Sequence, residues 1–280
     1  MRRVLHVATV HWRDDRWVDI QLRYLTQNLP EPFRVYGFLN KLPRDHSGKF
    51  FYSSTEQIKD HATKLNLLGD LISFAADDSD TLMFIDGDAF PVAPVAPALA
   101  SLSEGCPLVA VRRAELGDPQ PHPCFCLTTV GFWREIEGDW HSGHKWKNAA
   151  GKRVSDVGGN LLGALERANT DWRALERTNK QDLHPLFFGV YGNLVYHHGG
   201  GFRAPRGGRL LNAERGLPEA RSSRRARALD ALPDSRLTAK LRQRFHPAKR
   251  IAAELRRETA ALSAEVFGRI ERDEDFWRHL

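Results

Sequence analysis

The first forty residues constrain this chain more than any other stretch, because they read as strand, helix and strand in immediate succession. Residues 3–10 (RVLHVATV) form an apolar, β-branched run of strand length, the pattern of a strand buried on both faces. After a polar stretch over 11–16, Val18, Leu22, Leu25 and Leu29 recur at helical spacing, and Pro30 and Pro32 end that stripe. Residues 33–39 then read as a second strand. A βαβ opening of this kind selects the α/β class, favours parallel pairing and puts the ligand site at the carboxyl ends of the strands.

The 280 residues suffice for one large domain or two modest ones, with no need of disulfides or a structural metal to hold a core. With 41% hydrophobic and 27% charged residues the composition is that of an ordinary globular protein, which excludes wholesale disorder. No apolar run approaches the roughly 20 residues of a spanning helix, and the N-terminal stretch MRRVLHVATVHWRDD turns polar too early for a signal peptide. A cytoplasmic protein is expected. The three cysteines, Cys106, Cys124 and Cys126, suit neither a disulfide framework nor, lacking further ligands to complete it, a tetrahedral zinc site. They read as buried strand residues.

The net charge of +6 is unevenly spread. Residues 205–280 hold 18 Lys+Arg against 11 Asp+Glu, which leaves 23 against 24 for residues 1–204. A boundary near Pro205 therefore separates a nearly neutral domain, 1–204, from an Arg-rich and mainly helical extension, 205–280, with helical patterns over 237–270. Within the first part, a helix is expected over 55–76, strands over 81–85, 108–111 and 125–130, a helix over 157–167 and an apolar segment over 186–196.

Chemistry concentrates at two strand ends. The apolar run TLMFI leads directly into Asp86-Gly87-Asp88, where Gly87 permits a tight turn and the two carboxylates suit a hard divalent cation, Mg²⁺ or Mn²⁺. A solvated turn explains the same residues. Far downstream, His197 and His198 follow another apolar run and precede glycines, among them Gly199 and Gly200, whose bare backbone allows close approach to a diphosphate. Neighbours on a strand face opposite ways, so one imidazole is expected to complete the metal shell. His198, nearer the loop, is the choice.

Asp86-Gly87-Asp88, the upstream segment His61-Ala62-Thr63-Lys64-Leu65 and the distal histidine with its glycines together resemble the glycosyltransferases of the GT-A fold, over roughly residues 3–203. That resemblance implies a mixed, Rossmann-like sheet flanked by helices and transfer of a sugar from a nucleotide diphosphate donor, UDP by preference, with Mn²⁺ or Mg²⁺. It implies that Asp88 binds the metal directly, that Asp86 meets the ribose or the metal through water, and that His198 is the later ligand. Thr9, Val10 and His11 are then expected near the nucleotide base, and Lys64 against the donor's phosphates or sugar. His61 lies on nearly the same helical face as Lys64.

An inverting transferase also needs a carboxylate to take the acceptor's proton. Asp156, beside Gly158 and Gly159, is the first candidate and Asp139 the reserve, although an acid at a helix start is also a plain N-cap. Trp133, Trp140 and Trp146, with His141 and His144 between them, offer either faces for a saccharide acceptor or anchors of the core.

The basic extension suits peripheral contact with an anionic membrane, and hence a saccharide or glycolipid acceptor made at its cytoplasmic face. Solvated Arg–Glu helical faces account for much of the same pattern, and no recognised nucleic-acid motif accompanies it. Two rival readings stand. A nucleotidyltransferase calls for a glycine-rich phosphate loop after the first strand, where this chain has His11-Trp12-Arg13-Asp14. A non-enzymatic anion-binding module would leave both strand-end motifs merely structural.

Overall fold

The structure is a computed structural model and describes residues 3–148, 151–179, 187–200 and 215–280. The described residues form two compact units, the first including 3–148, 151–179, 188–200 and the terminal Trp277–Leu280, the second including 215–276. The boundary expected near Pro205 lies outside the described residues.

The first unit opens as the periodicity predicts. β1 (Leu5–Trp12), α1 (Arg16–Asn28) and β2 (Phe33–Asn40) make the βαβ unit, with β1 and β2 parallel and in register from Leu5 opposite Phe33 to Trp12 opposite Asn40. β3 (Tyr52–Ser54) follows, then α2 (His61–Ala75), six residues shorter at its start than the pattern suggested. Asp60 explains the difference: its carboxylate accepts the Thr63 N–H at 2.7 Å and caps the helix there.

β4 (Thr81–Asp86) and β5 (Ala89–Pro91) come next, then α3 (Ala96–Ser103), β6 (Leu108–Val111), β7 (His122–Thr129) and α4 (Val130–Glu135). A small pair, β8 (Trp146–Lys147) and β9 (Arg153–Val154), precedes α5 (Gly159–Arg167) and β10 (Arg173–Leu175). The apolar segment read over 186–196 divides, in its described part, into β11 (Gly189–Tyr191) and β12 (Val195–His197).

Among the described residues seven strands form one sheet, in the order β10-β6-β7-β4-β1-β2-β3. β7 runs antiparallel to both its neighbours and the other pairs are parallel, so the sheet is mixed. With helices against it, this is an α/β architecture consistent with the GT-A-like fold expected. Along β4, Leu82 and Phe84 join one hydrophobic cluster and Met83 and Ile85 another, so the sheet is buried on both faces.

The order places the site. From β1 the chain moves outward through β2 to β3 on one side, while β4 lies on the other. The connections therefore reverse direction between β1 and β4, and in an open α/β sheet the crevice at such a reversal, outside the carboxyl ends of the strands, is where ligands bind. Those ends carry Trp12 and Asp86.

The second unit is helical: α6 (Leu217–Ser222), α7 (Arg224–Asp230), α8 (Arg236–Phe245) and α9 (Pro247–Arg272). Several of its arginines are paired with acids, Arg242 with Asp234 at 2.6 Å and Arg215 with Glu258 at 2.7 Å among them. Among the described residues no helix is long and apolar enough to cross a membrane.

Candidate functional site

β4 ends at Asp86 and β5 begins at Ala89, so Asp86-Gly87-Asp88 is the turn joining the large sheet to a smaller antiparallel one, ordered β11-β12-β5. The turn is pressed onto the end of β1. The Gly87 N–H donates to the Val10 carbonyl at 3.2 Å, and a Cβ at Gly87 would lie 2.5 Å from that oxygen and 2.8 Å from His11 Nδ1. Glycine is required here for close approach.

A side chain from α1 fastens the turn from below. Gln21 is fully buried; its amide N–H groups donate to the carbonyls of Asp86 at 2.7 Å and Ala89 at 2.8 Å. Its Oε1 accepts the Thr9 hydroxyl and a ring N–H of His11, each at 3.0 Å. One amide thus ties α1, β1 and both sides of the turn together with all its hydrogen-bonding capacity used.

The imidazole that meets the aspartates is His197, not His198. In the antiparallel register His197 stands opposite Ala89 and Tyr196 opposite Phe90, which sets His197 beside the turn. Its Nε2 lies 3.7 Å from Asp86 and 3.5 Å from Asp88. Strand alternation then sends His198 to Tyr196's side, where its Nδ1 pairs with the Tyr196 hydroxyl at 2.8 Å and its ring packs on Trp17 and Phe188. Burial pushes the His198 pKa down to about 4. Burial also works against a charge on His197, but the Cys124 sulfur and the Asp88 carboxylate more than offset it and carry its pKa well above the usual value.

One ligand atom each from Asp86, Asp88 and His197 lie within 4.8 Å of one another. Two carboxylate oxygens and an imidazole nitrogen are a donor set that fits Mn²⁺ or Mg²⁺. His61, from the first turn of α2, bonds Asp86 Oδ1 through Nε2 at 2.9 Å. Lys64 is not on a solvated helix face. It is 2% exposed, with its ammonium 4.5 Å from the centre of the Trp12 ring. Burial lowers its pKa to about 8, against the pull of Asp60 and Asp86.

The other candidates fall elsewhere. Thr9, Val10 and His11 are buried beneath the turn, with the Thr9 hydroxyl and His11 Nε2 bonded to Gln21, so they are the floor of the site. Gly199 and Gly200 both adopt positive φ, 74° and 69°, and turn the chain as β12 ends. Asp139 accepts hydrogen bonds from Asn66, Asn160 and both the backbone and the ring of His141. Partial burial raises its pKa, but these donors outweigh that and hold it at about 2. Asp156 is more than half exposed and faces Arg113 at 3.5 Å. Trp133, Trp140 and Trp146 are buried, the first two within a core cluster, so they anchor the fold and present no face to a saccharide.

Sequence reasoning missed Gln21, which sits in the helical stripe of α1 as its one buried amide. A polar residue within an apolar stripe was the available signal. It also missed His122, whose available signal was its place two residues before Cys124.

No family model and no curated protein matches the chain. A solved structure, the crystal structure of S. aureus TarS, is similar to part of it, with 9% sequence identity and a TM-score of 0.37, covering 49% of this chain. The chain spans 30% of the TarS chain. At that level of likeness the reading of the site rests on its own geometry.

Proposed function

We propose that this chain is a metal-dependent glycosyltransferase that takes a sugar from a nucleotide diphosphate donor, UDP-linked by preference. The observation that carries the reading is the convergence of Asp86, Asp88 and His197 at the carboxyl end of β4, where the sheet reverses its winding. Asp86, Asp88 and His197 are the residues to hold Mn²⁺ or Mg²⁺. Bound there, the cation supplies charge neutralisation for the departing diphosphate.

The chain's own groups have separable tasks in this reading. His61 orients the Asp86 carboxylate through its hydrogen bond. Lys64 adds positive charge beside Asp86 for the donor's phosphates or sugar. Gly199 and Gly200 leave room for the diphosphate. Asp156, exposed in the turn before α5, is the base proposed for the acceptor hydroxyl, because the Asp139 carboxylate is committed to its donors and held too acidic to take a proton readily. A saccharide or glycolipid is the proposed acceptor. The basic second unit supports peripheral contact with an anionic membrane, placing the enzyme at the cytoplasmic face.

The test is thermal stability with Mn²⁺ or Mg²⁺ and UDP, GDP or dTDP, together with hydrolysis of the matching nucleotide sugars. The expected outcome is a rise in Tm with UDP plus Mn²⁺, lost in Asp88→Ala along with at least about 100-fold of the hydrolysis rate. Stabilisation by polyanions alone, with no response to any nucleotide and metal, would replace this reading with that of an anion-binding module.

A further inference from the structure

His197 has a second set of neighbours. Beside its carboxylate partners, the ligand atoms of His122, Cys124 and His197 also lie within 4.8 Å of one another. The rings of His122 and His197 are 5.7 Å apart between centres. Both β7 residues owe their place to an irregularity in the strand. Ala110 pairs with Cys126, yet the next residue of β6, Val111, pairs with His122, so β7 carries extra residues at this point. Irregularities of this kind re-aim side chains next to functional sites. Here Cys124 joins the hydrophobic cluster of Phe125 and Leu127, while Cys126 joins the other one.

We propose that His122, Cys124 and His197 form a site for a thiophilic divalent cation of the zinc type, distinct from the carboxylate site but sharing its imidazole. Two imidazoles and a thiolate, with one position left for water or a nearby carboxylate, are a donor set that zinc takes in tetrahedral geometry and magnesium does not. Tetrahedral zinc with nitrogen and sulfur ligands sets donor-to-donor distances of roughly 3.3–3.6 Å, so side-chain movements on the order of 1 Å close the site. His122 Nδ1 accepts the Cys124 backbone N–H at 3.1 Å; ligation through Nδ1 exchanges that single bond for the cation. The Cys124 thiol proton and the ring proton displaced from His197 both leave to water as the Zn–S and Zn–N bonds form, and no oxidant or reductant takes part.

Since one imidazole serves both sets, zinc on the thiol side withdraws His197 from Asp86 and Asp88. Zinc then acts as an inhibitor of Mn²⁺-supported activity; this consequence rests on the function proposed above, whereas the site itself does not.

The experiment is titration of the intact protein with Co²⁺, the spectroscopic stand-in for Zn²⁺, followed by Zn²⁺ competition. A thiolate-to-cobalt charge-transfer band is expected, displaced by one equivalent of Zn²⁺. Cys124→Ser should abolish the band and weaken Zn²⁺ binding at least about 10-fold, His122→Ala should weaken it similarly, and Cys126→Ser should retain both band and affinity. Circular dichroism and Tm of each variant separate loss of a ligand from loss of fold. No charge-transfer band in the wild type, or a band unchanged in a folded Cys124→Ser protein, would overturn the site. The paired variant Asp86→Asn/Asp88→Asn distinguishes the two readings: it should lose Mn²⁺ binding and keep the cobalt band. Zinc binding lost there and kept in Cys124→Ser would assign zinc to the carboxylates and reject the second site.

Discussion

Gln21 shows how much of this site depends on a residue that touches none of the proposed chemistry. Its amide holds two carbonyls of the turn with one end and the Thr9 and His11 side chains with the other, three of the four bonds buried and the one to Asp86 partly so. Removing it leaves several groups desolvated and unpaired, and each such loss costs about 1–3 kcal/mol before relaxation. Gln21→Leu is therefore expected to destabilise the protein by about 2–4 kcal/mol in urea unfolding. It should also weaken Mn²⁺ binding at least about 10-fold in a direct metal titration, because Asp86 and Asp88 lose their fixed backbone. Retention of both quantities would show that Gly87 packing alone holds the turn. The same reasoning separates His197 from His198: two adjacent imidazoles differ in role because one shares the side of Ala89 and the other that of Tyr196.

At the scale of elements, Asp139 joins α2, through Asn66, to the start of α5, through Asn160, with His141 between them. Its carboxylate is held at about 2, below the ordinary 3.8. A depressed carboxylate contributes stability that is complete above the unfolded value and is lost as the pH falls through the folded one. With about a third of the side chain exposed, the contribution is about 1–2 kcal/mol. Urea unfolding of wild type and Asp139→Asn should then show a gap near pH 6 that narrows steadily between pH 4 and pH 2. A gap that stays constant with pH would mean that the charge of the carboxylate is not what stabilises the wild type, and no gap at pH 6 that the neutral amide holds the two helices equally well. The helical and strand periods were legible at this scale: β6 over 108–111 and the end of α5 at Arg167 stand where the pattern put them. What the pattern could not show was the start of α2, because residues 55–60 carry no apolar stripe to deny or support a helix and the Asp60 cap decides it.

For the whole molecule, the division into a sheet unit and a helical unit predicts that unfolding is not a single cooperative step. Calorimetry should resolve two transitions, of which Mn²⁺ with UDP raises only one, and Asp88→Ala should remove that rise without moving the other. A single transition shifted as a whole by the ligand would show that the two units unfold together.

The sequence by itself determined the class of fold, since apolar β-branched runs alternating with helical stripes have few other ways to be buried, and it marked Asp86, Gly87 and Asp88 as the place where an apolar strand stops and charge begins. The tertiary structure decided which partners those residues meet. The register of β12 against β5 brought His197 to the aspartates, the irregularity in β7 turned Cys124 and His122 toward that same ring, and burial converted the three tryptophans from candidate ligand faces into core. Each of these depends on contacts between segments far apart in the chain, where a shift of one residue in pairing exchanges the two faces of a strand, and no local pattern records which face is chosen.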